Sequence, residues 1–326
     1  MPKLAVLGAG AWGTALALQA GRAGQAVTLW ARDPARVAAM AAARENARYL
    51  PGIALPDGVS ATADLAAAVQ GAELAILAVP VQHIRAFLAG LPAAAPPLVT
   101  VAKGVELGTL LLPLEIIAAL RPGHATAVLS GPNFAREVAA GLPAAAVVAS
   151  HDQALRGQVG DLLATPAFRL YGSDDPVGVQ VGGAAKNVIA IAAGVVIGAG
   201  LGENARAALV TRGVAELSRL AVALGGRAET AAGLSGLGDL LLTATGPGSR
   251  NFSLGLALGQ GRTLAEVLAE RVGVTEGVAT APAITARARR CGVELPICQA
   301  VADLLAGHLT VPEAMGRLLS RPRRDE

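Results

Sequence analysis

Three lysines stand among the 27 basic residues of this chain; the rest are arginines. Arginine keeps its proton at any useful pH, whereas lysine can give one up and act as a general acid or base. A lysine retained in an arginine-rich chain therefore points to a place where an ammonium is needed, although a genome-wide coding bias towards arginine would leave the same imbalance. Lys3 precedes the first apolar run and reads as surface charge. Lys103 lies in Val101-Ala-Lys-Gly-Val-Glu106, and Lys186 in Gly182-Gly-Ala-Ala-Lys-Asn-Val188, at the head of an apolar stretch. An ammonium there is costly unless it finds a partner or snorkels to water, and the residue types alone allow either. Gly233-Leu-Ser-Gly-Leu-Gly-Asp239 lets backbone and ligand come close and leaves Asp239 at the start of a helix, as a ligand contact or as a helix cap. Thr245-Gly-Pro-Gly-Ser-Arg-Asn251 opens another helix, where Ser, Arg and Asn make a phosphate cradle or a capped surface loop.

Three further segments could meet a ligand, the first two of them a nucleotide. Gly8-Ala-Gly10-Ala-Trp-Gly13 follows an apolar strand-like run and precedes a helical stretch over 14–23, with a second strand ending near Arg32, about 20 residues on. In that context Gly8 permits the tight turn, Gly10 the approach of a pyrophosphate, and Gly13 close packing of helix on strand. The second strand ends Trp30-Ala-Arg32-Asp33. Arg32 suits the 2′-phosphate of NADP, while Asp33 keeps the ribose hydroxyls of NAD in play. Ser130-Gly-Pro-Asn-Phe-Ala-Arg-Glu137 follows another strand, on the edge of the sheet where ligands of such folds bind, or as a plain turn.

The elements that must position these residues divide the chain in two. Residues 1–175 alternate continuous apolar runs (4–7, 27–31, 74–79, 98–102, 127–130, 145–149, and an edge candidate 168–171) with alanine-rich helical stretches. Continuous apolar runs are those of a parallel sheet covered on both faces, so a doubly wound, Rossmann-like α/β domain is expected. Residues 176–326 have helical period throughout, and an all-α domain is expected, opening with a buried helix that carries Lys186. The segment 188–199 is too short for a membrane span, which needs about 20 apolar residues. A net charge of +3, with no basic stripe beyond the tail Arg321-Pro-Arg-Arg324, argues against a nucleic-acid partner. Cys291 and Cys298 make neither a disulfide framework nor a metal set, and the chain opens on a strand rather than a signal peptide. A cytoplasmic protein without a metal is the expectation.

Taken together the motifs resemble those of the bacterial-type NAD(P)-dependent glycerol-3-phosphate dehydrogenases, over nearly all of the 326 residues. The resemblance rests on Gly8-Ala-Gly-Ala-Trp-Gly-Thr-Ala15, Ala102-Lys-Gly104, Ser130-Gly-Pro132 with Phe134-Ala135, Ala185-Lys-Asn187, Gly236-Leu-Gly-Asp-Leu240, Ser249-Arg-Asn251 and Val274-Thr-Glu-Gly277. It implies reduction of dihydroxyacetone phosphate to sn-glycerol 3-phosphate for glycerophospholipid synthesis, with NADP(H), NAD(H) remaining open, in a homodimer. It also implies that Lys186 gives and takes the proton, that Lys103 touches both substrate and cofactor, and that Asp239 completes the catalytic set. Gly131, Asp239, Ser249, Arg250 and Asn251 would contact the substrate. Ala11, Trp12, Arg32, Ala135, Arg250, Val274 and Glu276 would line the cofactor beside the three glycines. The chain departs from the family pattern at Ala11 and Asn133, where Ser is frequent, and at Ala244, where Cys is frequent.

Overall fold

The computed structural model describes residues 3–246, 248–270 and 273–320; the basic tail Arg321–Arg324 and Pro247 of the Thr245–Asn251 segment lie outside the described residues. The chain divides into two compact units, Met1–Ala102 with Pro113–Pro176, and Lys103–Leu112 with Val177–Glu326.

The first unit is built on one sheet. Its strands are β1 (Lys3–Leu7), β2 (Ala26–Trp30), β3 (Val59–Thr62), β4 (Leu74–Leu77), β5 (Leu98–Thr100), β6 (Thr126–Ser130), β7 (Ala144–Ala149) and β8 (Phe168–Ser173). They lie in the order β3-β2-β1-β4-β5-β6-β7-β8. All neighbours are parallel except β6 and β7. The order reverses at β1, whose neighbours are β2 on one side and β4 on the other, and that is the switch point at which doubly wound sheets bind ligands. Leu4–Leu7 and Leu74–Leu77 are wholly buried, because helices cover both faces of the central strands. β3 was not among the apolar runs: Ser60 and Thr62 interrupt it, and as an edge strand it has one neighbour and needs less burial. β7 is an apolar run, but its antiparallel direction lies beyond the reach of composition, since strand direction leaves no mark on hydrophobicity.

The second unit is helical. Its centre is the 23-residue helix Pro176–Gly198. This helix is long and apolar enough to cross a membrane, with a mean hydropathy of 1.7, yet 83% of its apolar window is buried inside the protein, as in a core helix. It crosses the Arg250–Gly259 helix so closely that a Cβ added at Gly194 would sit 2.1 Å from Phe252 O, and one at Gly255 1.9 Å from Ile191 O. Gly198 and Gly259, one turn further along each helix, repeat the contact. Backbone meets backbone where side chains are missing, and this crossing sets how far Lys186 and Asn187 stand from Asn251. Val105, Leu110 and Leu112 join the same apolar core, which is why Lys103–Leu112 belongs with the helices despite its place in the sequence.

Candidate active site

The glycine loop of the first unit joins β1 to the helix Ala11–Arg22. Gly8 has a φ of +125°, and a Cβ there would lie 2.5 Å from Ala78 O at the end of β4; a Cβ on Gly13 would lie 1.9 Å from Gly8 O. Those two glycines are demanded by packing. Gly10 differs: an added Cβ would meet nothing within 4 Å, so the space in front of it is open. The helix starts with no side-chain cap and no acidic residue in its first turn. Its first N–H groups and dipole are thus left for an anion. These features fit a dinucleotide pyrophosphate.

Arg32 is exposed just beyond β2. The Asp33 carboxylate is otherwise engaged, accepting from Ala35 N at 3.0 Å and so capping the helix Pro34–Ala43. Beyond β6, Gly131 has a φ of +151°, and a Cβ there would lie 2.9 Å from Ala146 Cα. Asn133 Nδ2 donates to Ala145 O at 3.1 Å, while its buried Oδ1 has no protein partner. Ala135 opens the short helix Ala135–Ala139.

The second unit holds a cluster of charges. Lys186 Nζ donates to Asp239 Oδ1 at 2.5 Å and to Thr243 Oγ1 at 2.8 Å, and Lys103 Nζ donates to Asp239 Oδ2 at 2.6 Å. Asp239 is 1% exposed and Lys186 7%. One carboxylate thus bridges two ammonium groups, leaving a net positive charge for an anionic or electron-rich ligand. Burial pulls the Lys186 pKa down to about 8; Asp239 opposes that shift, Lys103 adds to it, and the Glu276 carboxylate resists it. Burial alone would push the Asp239 carboxyl up, but Lys103 and Lys186 together outweigh it and hold the group below its ordinary value. Lys186 can therefore hold or release a proton near neutral pH while Asp239 stays ionised.

Local backbone geometry delivers these groups. Asp239 opens the helix Asp239–Ala244 directly after a π-helical turn, Leu234–Gly238, in which Gly238 N donates to Gly233 O at 3.1 Å. Gly236 and Gly182 allow that turn to press against Ala231 and the Lys186 helix, where Cβ atoms would lie 2.2 Å from Ala231 O and 2.6 Å from Ser235 O. Thr243, one turn after Asp239, donates to the backbone Asp239 O at 2.6 Å, which turns its hydroxyl oxygen to accept from Lys186. Thr243 stands outside the glycine pattern, and its only signal in the sequence is the i, i+4 spacing from Asp239.

Asn187 ties the neighbouring segments together. Its Nδ2 donates to Lys103 O at 3.4 Å, and its Oδ1 accepts from Asn251 Nδ2 at 2.9 Å. Asn251 Oδ1 in turn accepts from Gly277 N at 3.1 Å. Ser249 Oγ accepts from Phe252 N at 3.2 Å and caps the Arg250–Gly259 helix, while Arg250 itself is exposed. A Cβ on Gly273 would stand 3.1 Å from an Arg250 Nη1 nitrogen, so Arg250 lies beside the segment that leads to exposed Val274 and to Glu276, the first residue of the helix Glu276–Arg290. The structure thus brings Lys103, Lys186 and Asp239 into direct contact and links Asn251 to them through Asn187. Ser249 and Asn251 each spend part of their polar capacity on the fold. Ala244 is wholly buried.

Comparison with known proteins bears on both units. A family model described as the NAD-dependent glycerol-3-phosphate dehydrogenase N-terminus matches residues 3–156, and one described as the C-terminus of the same enzyme matches residues 175–316. The chain is 55% identical over 327 residues to the glycerol-3-phosphate dehydrogenase [NAD(P)+] of Caulobacter vibrioides, covering 99% of this chain and 98% of that protein. It is 57% identical over 325 residues to the protein of that name from Acidiphilium cryptum, covering 100% and 98%. Among solved structures, glycerol-3-phosphate dehydrogenase from Coxiella burnetii superposes with a TM-score of 0.93 at 38% identity, over 98% of this chain and 99% of that one.

Proposed function

Because this chain belongs to the NAD-dependent glycerol-3-phosphate dehydrogenase family, we propose that it reduces dihydroxyacetone phosphate to sn-glycerol 3-phosphate, using NADPH and also accepting NADH. The observation that carries this reading is the pairing of Lys103 and Lys186 on the buried Asp239, with one lysine poised near neutral pH. The nicotinamide, when bound, supplies the hydride. The protein supplies position, charge and the proton. As the ketone carbon is reduced its oxygen gains negative charge, and protonated Lys186 stabilises that charge and delivers the proton. In the reverse direction neutral Lys186 removes the hydroxyl proton. Lys103 adds a second cation, and Asp239 keeps both ammonium groups aimed.

The glycine loop, with Gly8, Gly10, Ala11, Trp12 and Gly13, would hold the pyrophosphate, and Arg32 the 2′-phosphate. Ala135, Val274 and Glu276 would line the rest of the cofactor. Arg250, with Ser249 and Asn251 at a helix start, would hold the substrate phosphate, and Gly131 would let the substrate approach its strand end. Binding energy at the phosphate then fixes the carbon that reacts. We extend the reading to a cytoplasmic homodimer that supplies glycerophospholipid synthesis, for which sedimentation of the purified protein is the first check.

The phosphate assignment separates this reading from other two-domain dehydrogenases. Guanidinium and phosphate pair through charge-assisted, often bidentate, hydrogen bonds. Arg250→Ala should therefore lower kcat/KM for dihydroxyacetone phosphate by about 10² or more while costing unphosphorylated dihydroxyacetone far less. The NADPH KM is measured beside it, since Arg250 is also assigned to the cofactor. An unchanged ratio between the two ketones would remove the physical support for a phosphorylated substrate.

A further inference from the structure

Asn46 lies in the connection between the Pro34–Ala43 helix and β3, far in sequence from the glycine loop, and is 1% exposed. Its Nδ2 donates to Ala9 O at 3.0 Å and to Thr14 Oγ1 at 2.8 Å. Ala9 O can only accept, so the amide atom facing it must be the nitrogen. Ala9 is the residue between the first two glycines, and Thr14 is in the first turns of the helix that follows. The side chain thus staples the two arms of the loop from beneath.

The connection that carries Asn46 is itself well held. Tyr49 N and Leu50 N donate to Asn46 O at 3.1 and 2.9 Å, and Leu55 N donates to Arg44 O at 2.7 Å. Glu45 and Ala54 form an antiparallel bridge across it. Packing of this kind gives Asn46 a fixed position from which to act.

In a trans peptide the carbonyl and the following N–H point in opposite directions. Drawing the Ala9 oxygen inward therefore turns the Gly10 N–H away from the interior that holds Asn46. The space in front of Gly10 is open, and the helix behind it lacks a side-chain cap. We propose that Asn46 is the positioning residue of the dinucleotide loop: its amide sets the Ala9–Gly10 peptide so that the loop presents its N–H groups to a pyrophosphate before the cofactor arrives. This inference rests on the reading that NADP(H) binds at this loop. Glycine spacing specifies that the turn can form; the asparagine selects which way its central peptide faces.

The test is direct binding of NADP+ to the whole enzyme, followed by quenching of tryptophan fluorescence; Trp12, one of the two tryptophans, lies in the loop. The variant is Asn46→Leu, similar in size and without a donor. Its Kd for NADP+ should be weaker by about tenfold, the scale of one well-placed hydrogen bond. KM for dihydroxyacetone phosphate, read at saturating NADPH, should move by less than about twofold, whereas a general loosening of the fold would move both together. Thr14→Val keeps the bond to Ala9 and should weaken Kd by no more than about threefold. If Asn46→Leu does not yield folded protein, Asn46→Ser is read in the same way. An unchanged Kd, or a KM for the ketone that rises in step with Kd, overturns the role of Asn46. Failure of the wild-type enzyme to bind NADP+ would instead overturn the nucleotide reading on which it rests.

Discussion

The two halves of the candidate machinery are made of different material. In the first unit the glycine loop offers backbone to a ligand, as N–H groups and a helix dipole, and its sequence signature is the removal of side chains at Gly8, Gly10 and Gly13. The second unit offers side chains instead, Lys103, Lys186 and Asp239, held in contact from positions 83 and 53 residues apart. Backbone recognition stays open to water until a ligand covers it. Lys186 and Asp239 are already buried, and burial is what tunes the lysine. A site that must only bind an anion can be written as a local motif; one that must hold a proton near neutral pH needs a desolvated environment that no local motif can provide.

The largest expected effect separates charge from proton in the second unit. Lys186→Arg keeps the cation but cannot readily give up its proton, so kcat should fall on the order of 10² to 10⁴, while the Kd for NADPH stays near wild type. Near-normal turnover would mean that the cluster acts by charge alone. The backbone site is probed by two glycines that look alike in sequence. Gly13→Ala forces a Cβ to within 1.9 Å of Gly8 O and should cost roughly 3 kcal/mol of stability, read as a drop in Tm. Gly10→Ala has room and an ordinary φ of −77°, so it should leave Tm nearly unchanged and weaken NADPH by roughly tenfold through blocked approach. Equal losses of Tm in both variants would refute the division between packing glycine and binding glycine.

The pH dependence follows from the sign of the Lys186 shift. Burial lowers its pKa to about 8, so the lysine is charged below that value and neutral above it. For ketone reduction, kcat/KM should hold up to about pH 8 and then fall by about tenfold per pH unit, because the proton donor is lost. For alcohol oxidation it should rise through the same region. Profiles that move in the same direction for both reactions would assign the ionisation to another group. The smallest effect concerns the cofactor's 2′-phosphate: Arg32→Gly should raise KM for NADPH by up to about tenfold and leave NADH within about twofold. Equal responses would show that Arg32 does not discriminate.

Much of the fold could be read along the chain, and the reasons are local. Strands buried on both faces are continuous apolar runs, so β1, β4, β5 and β6 stand out, and the less enclosed β2 and β7 are still apolar-rich enough to be read, whereas the edge strand β3, carrying Ser60 and Thr62, is not. The helix that bears Lys186 announces itself by its apolar length. Lys103–Leu112 was less legible: its three buried aliphatics, Val105, Leu110 and Leu112, look the same whichever core receives them.

The same division runs through the site. Glycine spacing, a strand-end arginine and the scarcity of lysine already pointed to the glycine loop, Arg32, Lys103 and Lys186 as candidates, because each of those signals is a residue type at a local position. The tertiary structure alone decided that Asp239 bridges both lysines rather than capping a helix, that Thr243 steadies the pair, and that Asn187 and Asn251 join their segments. It alone placed Asn46 beneath Ala9. Hydrogen bonds between residues dozens of positions apart depend on distances set by packing, here by two helices crossing on glycines, and a pKa depends on the water that such packing excludes.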